Sequence, residues 1–177
     1  MNLRPDIGAD RAALTAVAMI AIDQGTKSLA FSAAQEGEEV NFIPAVTISQ
    51  TRNEGIAFGM FSGQPWVVFG LMCVALTVLI WFYARHRSRP VLWLATGLLL
   101  GGAVGNAIDR VRLGYVRDFI NLPSWPSFNI ADISITIGVM ILVFTADRAI
   151  SHDDEAEQSD EGDNDAPVAA RTDDPTH

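Results

Sequence analysis

The sequence predicts an all-α membrane protein, with four transmembrane helices and a small extracytoplasmic β-sheet between the first and second. Three observations carry this. Hydrophobic residues make up 49% of the 177-residue chain and charged residues only 19%. Three long apolar runs, Trp66 to Ala84, Val91 to Ile108 and Phe128 to Ala146, each come close to the roughly 20 residues that cross a bilayer. The net charge of −9 is confined to one end, since Ser151 to His177 holds ten acidic residues and one Arg. Of 21 acidic and 12 basic residues overall, 11 of each remain in 1–150, which is therefore neutral. The sequence thus divides into a membrane domain, 1–150, and an acidic cytoplasmic tail, 151–177, too polar to bury a core.

The first span is the least regular. Ala12 to Ala34 is interrupted by Asp23, Gln24, Thr26 and Lys27, so its leading apolar part ends at Ile22. Arg4, Arg11 and the small residues Ser32-Ala33-Ala34 also fit a cleaved signal peptide. A retained span is expected instead. Asp23 and Lys27 stand four apart with the acid first, the favourable order for a helical ion pair, and the apolar run resumes at Leu29-Ala30-Phe31.

Between the first two spans, Val40, Phe42, Val46 and Ile48 alternate partially around Pro44, and Gly55, Gly59 and Gly63 punctuate the stretch leading to the second span. This predicts a small half-buried sheet with a mobile end. The turn from Arg85 to Pro90 carries Arg85, Arg87 and Arg89. Basic short loops lie inside, so both termini are expected in the cytoplasm, with segments 35–65 and 109–127 outside. Arg110, Arg112 and Arg117 run against that bias; headgroup contact or ordinary surface solubility accounts for such arginines.

In the third span Gly97, Gly101 and Gly105 recur every four residues, a flat face for close helix approach, and Asp109 extends it. Gly102, Asn106 and Arg110 form the neighbouring stripe. Packing explains the glycines, but an amide and a guanidinium at this depth need a further reason. The last span opens with Asn129 and Asp132. At helical spacing they hydrogen-bond on one face, or Asn129 caps the helix.

Two carboxylates, Asp118 and Asp132, fall 14 residues apart where spans meet an outer loop. A carboxylate there is costly unless paired or hydrated. Such a pair suits a proton relay, a metal or an acid–base dyad. His86, His152 and His177 stand in a basic turn and the tail, and Cys73 stands alone in an apolar run, so neither a zinc cluster nor a Ser–His or Cys–His hydrolase is indicated. A relay would spread charges through the full bilayer depth. A purely structural subunit would explain the glycine face but not the polar stripe beside it.

Taken together, Asp23-Gln24 with Lys27, Asn53-Glu54-Gly55-Ile56-Ala57-Phe58, Gly101-Gly102-Ala103-Val104-Gly105-Asn106-Ala107-Ile108-Asp109-Arg110, Asp118-Phe119 and Asn129-Ile130-Ala131-Asp132 resemble the lipoprotein signal peptidases, the bacterial type II signal peptidases. The resemblance covers about Ile22 to Ile137, with the motifs in order. It implies an intramembrane aspartic endopeptidase of the cytoplasmic (inner) membrane, cutting diacylglyceryl-modified prolipoproteins just before the lipidated cysteine. Asp118 and Asp132 match its catalytic pair. Asn53, Asn106, Arg110 and Asn129 match substrate-binding positions. Asp23, Lys27, Gly102 and Asp109 match supporting ones. No metal, cofactor or nucleic acid is expected. The expected partners are lipidated prolipoproteins and membrane lipid, and the expected state is a monomer with its site toward the outer face. Arg117 departs from the pattern, where a small aliphatic residue is more typical, and the loop between the aspartates is compact.

Overall fold

A computed structural model describes residues 7–35, 37–55, 60, 63–86 and 91–145. The basic turn from Arg87 to Pro90, the acidic tail 151–177 and Gly59, in the expected mobile end, lie outside the described residues. The chain divides into a unit ending at Leu142 and a second beginning at Val143, of which residues 143–145 are described as helix.

Four helices are present among the described residues: α1 (Ile7–Ala33), α2 (Pro65–His86), α3 (Leu92–Leu113) and α4 (Ile130–Thr145). Of these α3 alone is long and apolar enough to span a membrane by length and composition, while Gly70–His86 and Ile130–Thr145 are shorter apolar helices. α1 runs unbroken through Asp23 and Lys27. Both side chains are fully buried, so the polar interruption marks an interior cluster rather than a helix end.

The glycine face of α3 receives α1. A Cβ at Gly97 would stand 2.6 Å from Thr15 Cβ, and one at Gly101 2.9 Å from the Ala16 carbonyl oxygen. The neighbouring stripe receives α4, because a Cβ at Gly102 would meet the Ala131 carbonyl oxygen at 2.6 Å. α3 is thus clasped on two adjacent faces, and the backbones come close because nothing projects between them.

The sheet is larger than expected. Its strands are β1 (Val40–Ile43), β2 (Val46–Asn53), β3 (Val116–Leu122) and β4 (Trp125–Phe128), antiparallel in that order. Half of it therefore comes from between α3 and α4, where a compact loop was expected, and not only from between the first and second helices. Both hairpins turn on a Pro–X pair. Pro44-Ala45 and Pro123-Ser124 put a non-glycine residue in the left-handed region, with φ 68° at Ala45 and 61° at Ser124. Proline presets the first turn position and leaves the second to adopt positive φ. Gly114 (φ 85°) closes α3, its N–H bonding the Arg110 carbonyl at 3.0 Å, so β3 begins two residues later.

Candidate active site

The site lies where β2, β3, the last turns of α3 and the first turn of α4 meet. Register places Thr51 opposite Asp118 and Asn53 opposite Val116. Asn53 is thus the diagonal neighbour of Asp118, within cross-strand reach, and its Nδ2 donates to Asp118 Oδ2 at 2.9 Å. The Gly55 N–H in turn donates to Asn53 Oδ1 at 3.0 Å, which fixes the amide with its NH2 toward the carboxylate.

Asn129 and Asp132 satisfy both sequence expectations at once. The Asn129 N–H donates to Asp132 Oδ2 at 3.2 Å, and the Asp132 N–H donates to Asn129 Oδ1 at 3.1 Å. This reciprocal pair caps α4. Asn129 Nδ2 then reaches Asp118 Oδ1 at 2.6 Å and Asn106 Oδ1 at 3.1 Å. Asn106 Nδ2 donates to Asp132 Oδ1 at 2.9 Å. The two aspartates, remote in the chain, are therefore joined through shared asparagines. Asp118 is 1% exposed. Burial pushes its carboxyl up to about 6, and the neighbouring Asp132 carboxylate adds to the rise. Hydrogen bonds from Asn53 and Asn129 and the Lys27 charge pull it partly back.

Behind these residues lies a buried charge cluster. Lys27 Nζ contacts Asp23 Oδ2 at 2.8 Å, Asp109 Oδ2 at 3.3 Å and Asn106 Oδ1 at 2.9 Å. Arg117, expected at the surface or among headgroups, turns inward instead. Its Nη2 reaches Asp109 Oδ1 at 2.8 Å and Gln24 Oε1 at 3.0 Å, and its backbone N–H donates to Asp109 Oδ2 at 3.0 Å. Asp23, Lys27, Asp109 and Arg117 sum to zero charge, so the cluster is balanced within itself. Gln24, part of the Asp23-Gln24 motif but not among the expected site residues, donates to Asp23, to the Gly105 carbonyl and to Asp109, stitching α1 to α3. Its place in that motif is the signal that could have found it. Asp23 Oδ1 also accepts the Ala131 N–H at 3.0 Å, tying α1 to the turn that carries Asp132.

A cleft of about 1450 Å³ opens on the site. Asn53, Asn106, Arg110, Asp118 and Asp132 stand in its wall, together with a mostly apolar lining from α2 and α4 and with Leu99 and Ala103 of α3. Arg110 holds the loop after β2 at the cleft, donating to the Gly55 carbonyl at 2.7 Å. Among the described residues no three His, Cys, Asp or Glu side chains converge as metal ligands.

The fold is that of bacterial membrane enzymes, and the family it falls in is one of peptidases. The chain belongs to the signal peptidase II family: the family described as "Signal peptidase (SPase) II" matches residues 15–147. The lipoprotein signal peptidase of Halothermothrix orenii is 36% identical over 126 residues, covering 71% of this chain and 87% of the relative. That of Geobacillus thermodenitrificans is 42% identical over 135 residues, covering 73% and 84%. Two solved bacterial membrane enzymes, both determined by the in meso method, share the fold. One has a TM-score of 0.74 at 31% identity, covering 90% of this chain and 94% of its own. The other has a TM-score of 0.70 at 35% identity, covering 76% and 91%.

Proposed function

We propose that the chain is an intramembrane aspartic endopeptidase that removes signal peptides from diacylglyceryl-modified prolipoproteins, cutting just before the lipidated cysteine. The observation that carries this reading is the linkage of Asp118 and Asp132 through Asn129 and Asn106 at a mostly apolar cleft. Two carboxyls so placed share a proton more readily than they carry two charges. The ionised member takes a proton from water as its oxygen attacks the scissile carbonyl. The protonated member donates to the carbonyl oxygen; as the tetrahedral intermediate collapses the C–N bond breaks, the amide nitrogen takes the proton the first member gained from water, and the hydroxyl returns its proton to the second carboxylate as the carbonyl re-forms. Acid–base assistance of this kind contributes about 10²–10⁴ in rate.

The apolar lining of the cleft suits acyl chains and an apolar signal helix, while Asn53, Arg110 and the asparagines between the carboxylates suit the peptide near the cut. The protease domain is 1–150, crossing the inner membrane four times with both termini in the cytoplasm and the site toward the outer face. The tail, 151–177, stays cytoplasmic, and the enzyme works as a monomer. A proton relay fits less well, because the two aspartates and their amides gather in one hydrogen-bonded cluster rather than spreading along the cleft.

The deciding experiment is processing of a lipidated precursor by Asp118→Asn and Asp132→Asn, with the unlipidated precursor alongside. Both variants should be folded and inactive, and wild type should cut only the lipidated form. Normal turnover by either variant would overturn the aspartic reading; equal cutting of both precursors would overturn the lipid requirement.

A further inference from the structure

Three asparagine amides face the two carboxylates. Each must turn its NH2 toward an acid, and each has something that sets this orientation. For Asn53 it is the Gly55 N–H on Oδ1, and for Asn129 the Asp132 N–H on Oδ1. These are backbone donors, delivered by a turn and a helix cap. For Asn106, within α3, the carbonyl oxygen instead receives Lys27 Nζ at 2.9 Å and Asn129 Nδ2 at 3.1 Å.

An ammonium carries three donors and no acceptor. Lys27 uses them on Asp23, Asp109 and Asn106. The first two contacts balance its charge. The third leaves the charge cluster and enters the active site. Rotating the Asn106 amide by half a turn would set its NH2 against the ammonium and the Asn129 NH2, and its carbonyl oxygen against the Asp132 carboxylate. All three contacts would become repulsive.

We propose that Lys27 is a positioning residue for the reaction: its ammonium locks the Asn106 amide so that Nδ2 points at Asp132 Oδ1 and holds that oxygen as an acceptor. Accepting this hydrogen bond, Oδ1 is disfavoured as the seat of the proton shared by the dyad. This rests on the two-aspartate reading. It gives the buried lysine a purpose that packing does not require, since a buried ion network is often replaceable by apolar residues without loss of stability.

The test is a mutant cycle on the full chain in lipid–detergent micelles, with a fluorogenic peptide carrying a diacylglyceryl cysteine. Lys27→Met is combined with Asp23→Asn, so that the cluster stays neutral, and this pair is introduced into wild type and into Asn106→Ala. In wild type, kcat should fall about tenfold or more with KM little changed. With Asn106 already removed, the same pair should cost less than about threefold, because positioning through an absent amide has no effect. Lys27→Arg, which keeps donor and charge, should recover much of the lost kcat. An undiminished loss in the Asn106→Ala background, an unchanged kcat, or failure of the charge-balanced protein to fold would each overturn the proposal. Asp118→Asn and Asp132→Asn run in the same assay keep the two ideas apart. If both are inactive while the lysine cycle shows no coupling, the dyad stands and only the role of Lys27 falls.

Discussion

Asn129 and Asp132 exchange backbone-to-side-chain hydrogen bonds in both directions, at 3.2 and 3.1 Å. One pair of residues therefore begins helix α4 and orients a carboxylate proposed to be catalytic. Stability and activity should respond together there. Asn129→Ala should lose a cap worth about 1 kcal/mol together with the donor to Asp118, and kcat should drop sharply. Asn129→Asp should keep the cap acceptor but set a third carboxylate beside Asp118, leaving activity as low. Thermal unfolding and single-substrate kinetics on the same preparations check both.

With its carboxyl raised to about 6, Asp118 in the proposed catalytic role should give the pH–activity profile one limb near that value. Removing a hydrogen bond to the carboxylate disfavours the charged form, so Asn53→Ala should move this limb to higher pH. Rate measurements across the weakly acidic to weakly basic range would show it, and a limb unmoved in Asn53→Ala would count against Asp118 as its source.

The same shift has a stability consequence. An acid whose folded value lies above its unfolded one favours folding while protonated, and that contribution is lost as pH rises through the folded value. A rise from 3.8 to about 6 corresponds to about 3 kcal/mol. Wild type should therefore lose stability between about pH 4 and 7, and Asp118→Asn should lack this component. Denaturation at matched pH values measures the difference.

Close approach at the α3 glycines separates two outcomes. Gly102→Ala would drive a methyl to 2.6 Å from the Ala131 carbonyl oxygen, next to Asp132. It should cost more than about 2 kcal/mol and depress turnover. Gly70→Ala, in α2 with nothing within 4 Å of the added carbon, should instead gain up to about 1 kcal/mol through helix propensity. Thermal unfolding of the two variants beside wild type reads both signs.

Arg117→Met should lower stability by about 2 kcal/mol by stripping donors from a buried acid, while Asp109 keeps the backbone N–H of residue 117, Gln24 and Lys27. KM should be unaffected, since Arg117 is absent from the cleft wall. A large KM rise would instead place it in substrate contact.

The helices and the glycine face were readable because their signals are local. A repeat at 97, 101 and 105 states a packing surface whatever its partner, although only the structure shows that α1 fills it. The ion pair between Asp23 and Lys27 was readable for the same reason. The second half of the sheet was not. Val116 to Phe128 carries Pro123 in its turn and Pro126 within β4, and in one dimension such a stretch resembles a loop. Pro44 looked like an interruption, whereas it forms the turn itself. Arg117 escaped because charge alone places an arginine outside. Its inward path depends on Asp109 and Gln24, brought together only when α1, α3 and β3 meet. The linkage of Asp118 to Asp132 through two asparagines is likewise a product of the fold, not of their spacing.

The cleft lined by α2 and α4 changes what concentration means for this enzyme. A lipidated precursor of the kind proposed, held in the same bilayer, would arrive by sliding sideways, in two dimensions. What saturates the site is then the number of precursors per unit area of lipid, not per volume of water. Diluting the membrane with inert lipid at constant bulk substrate would slow turnover, and adding buffer would not.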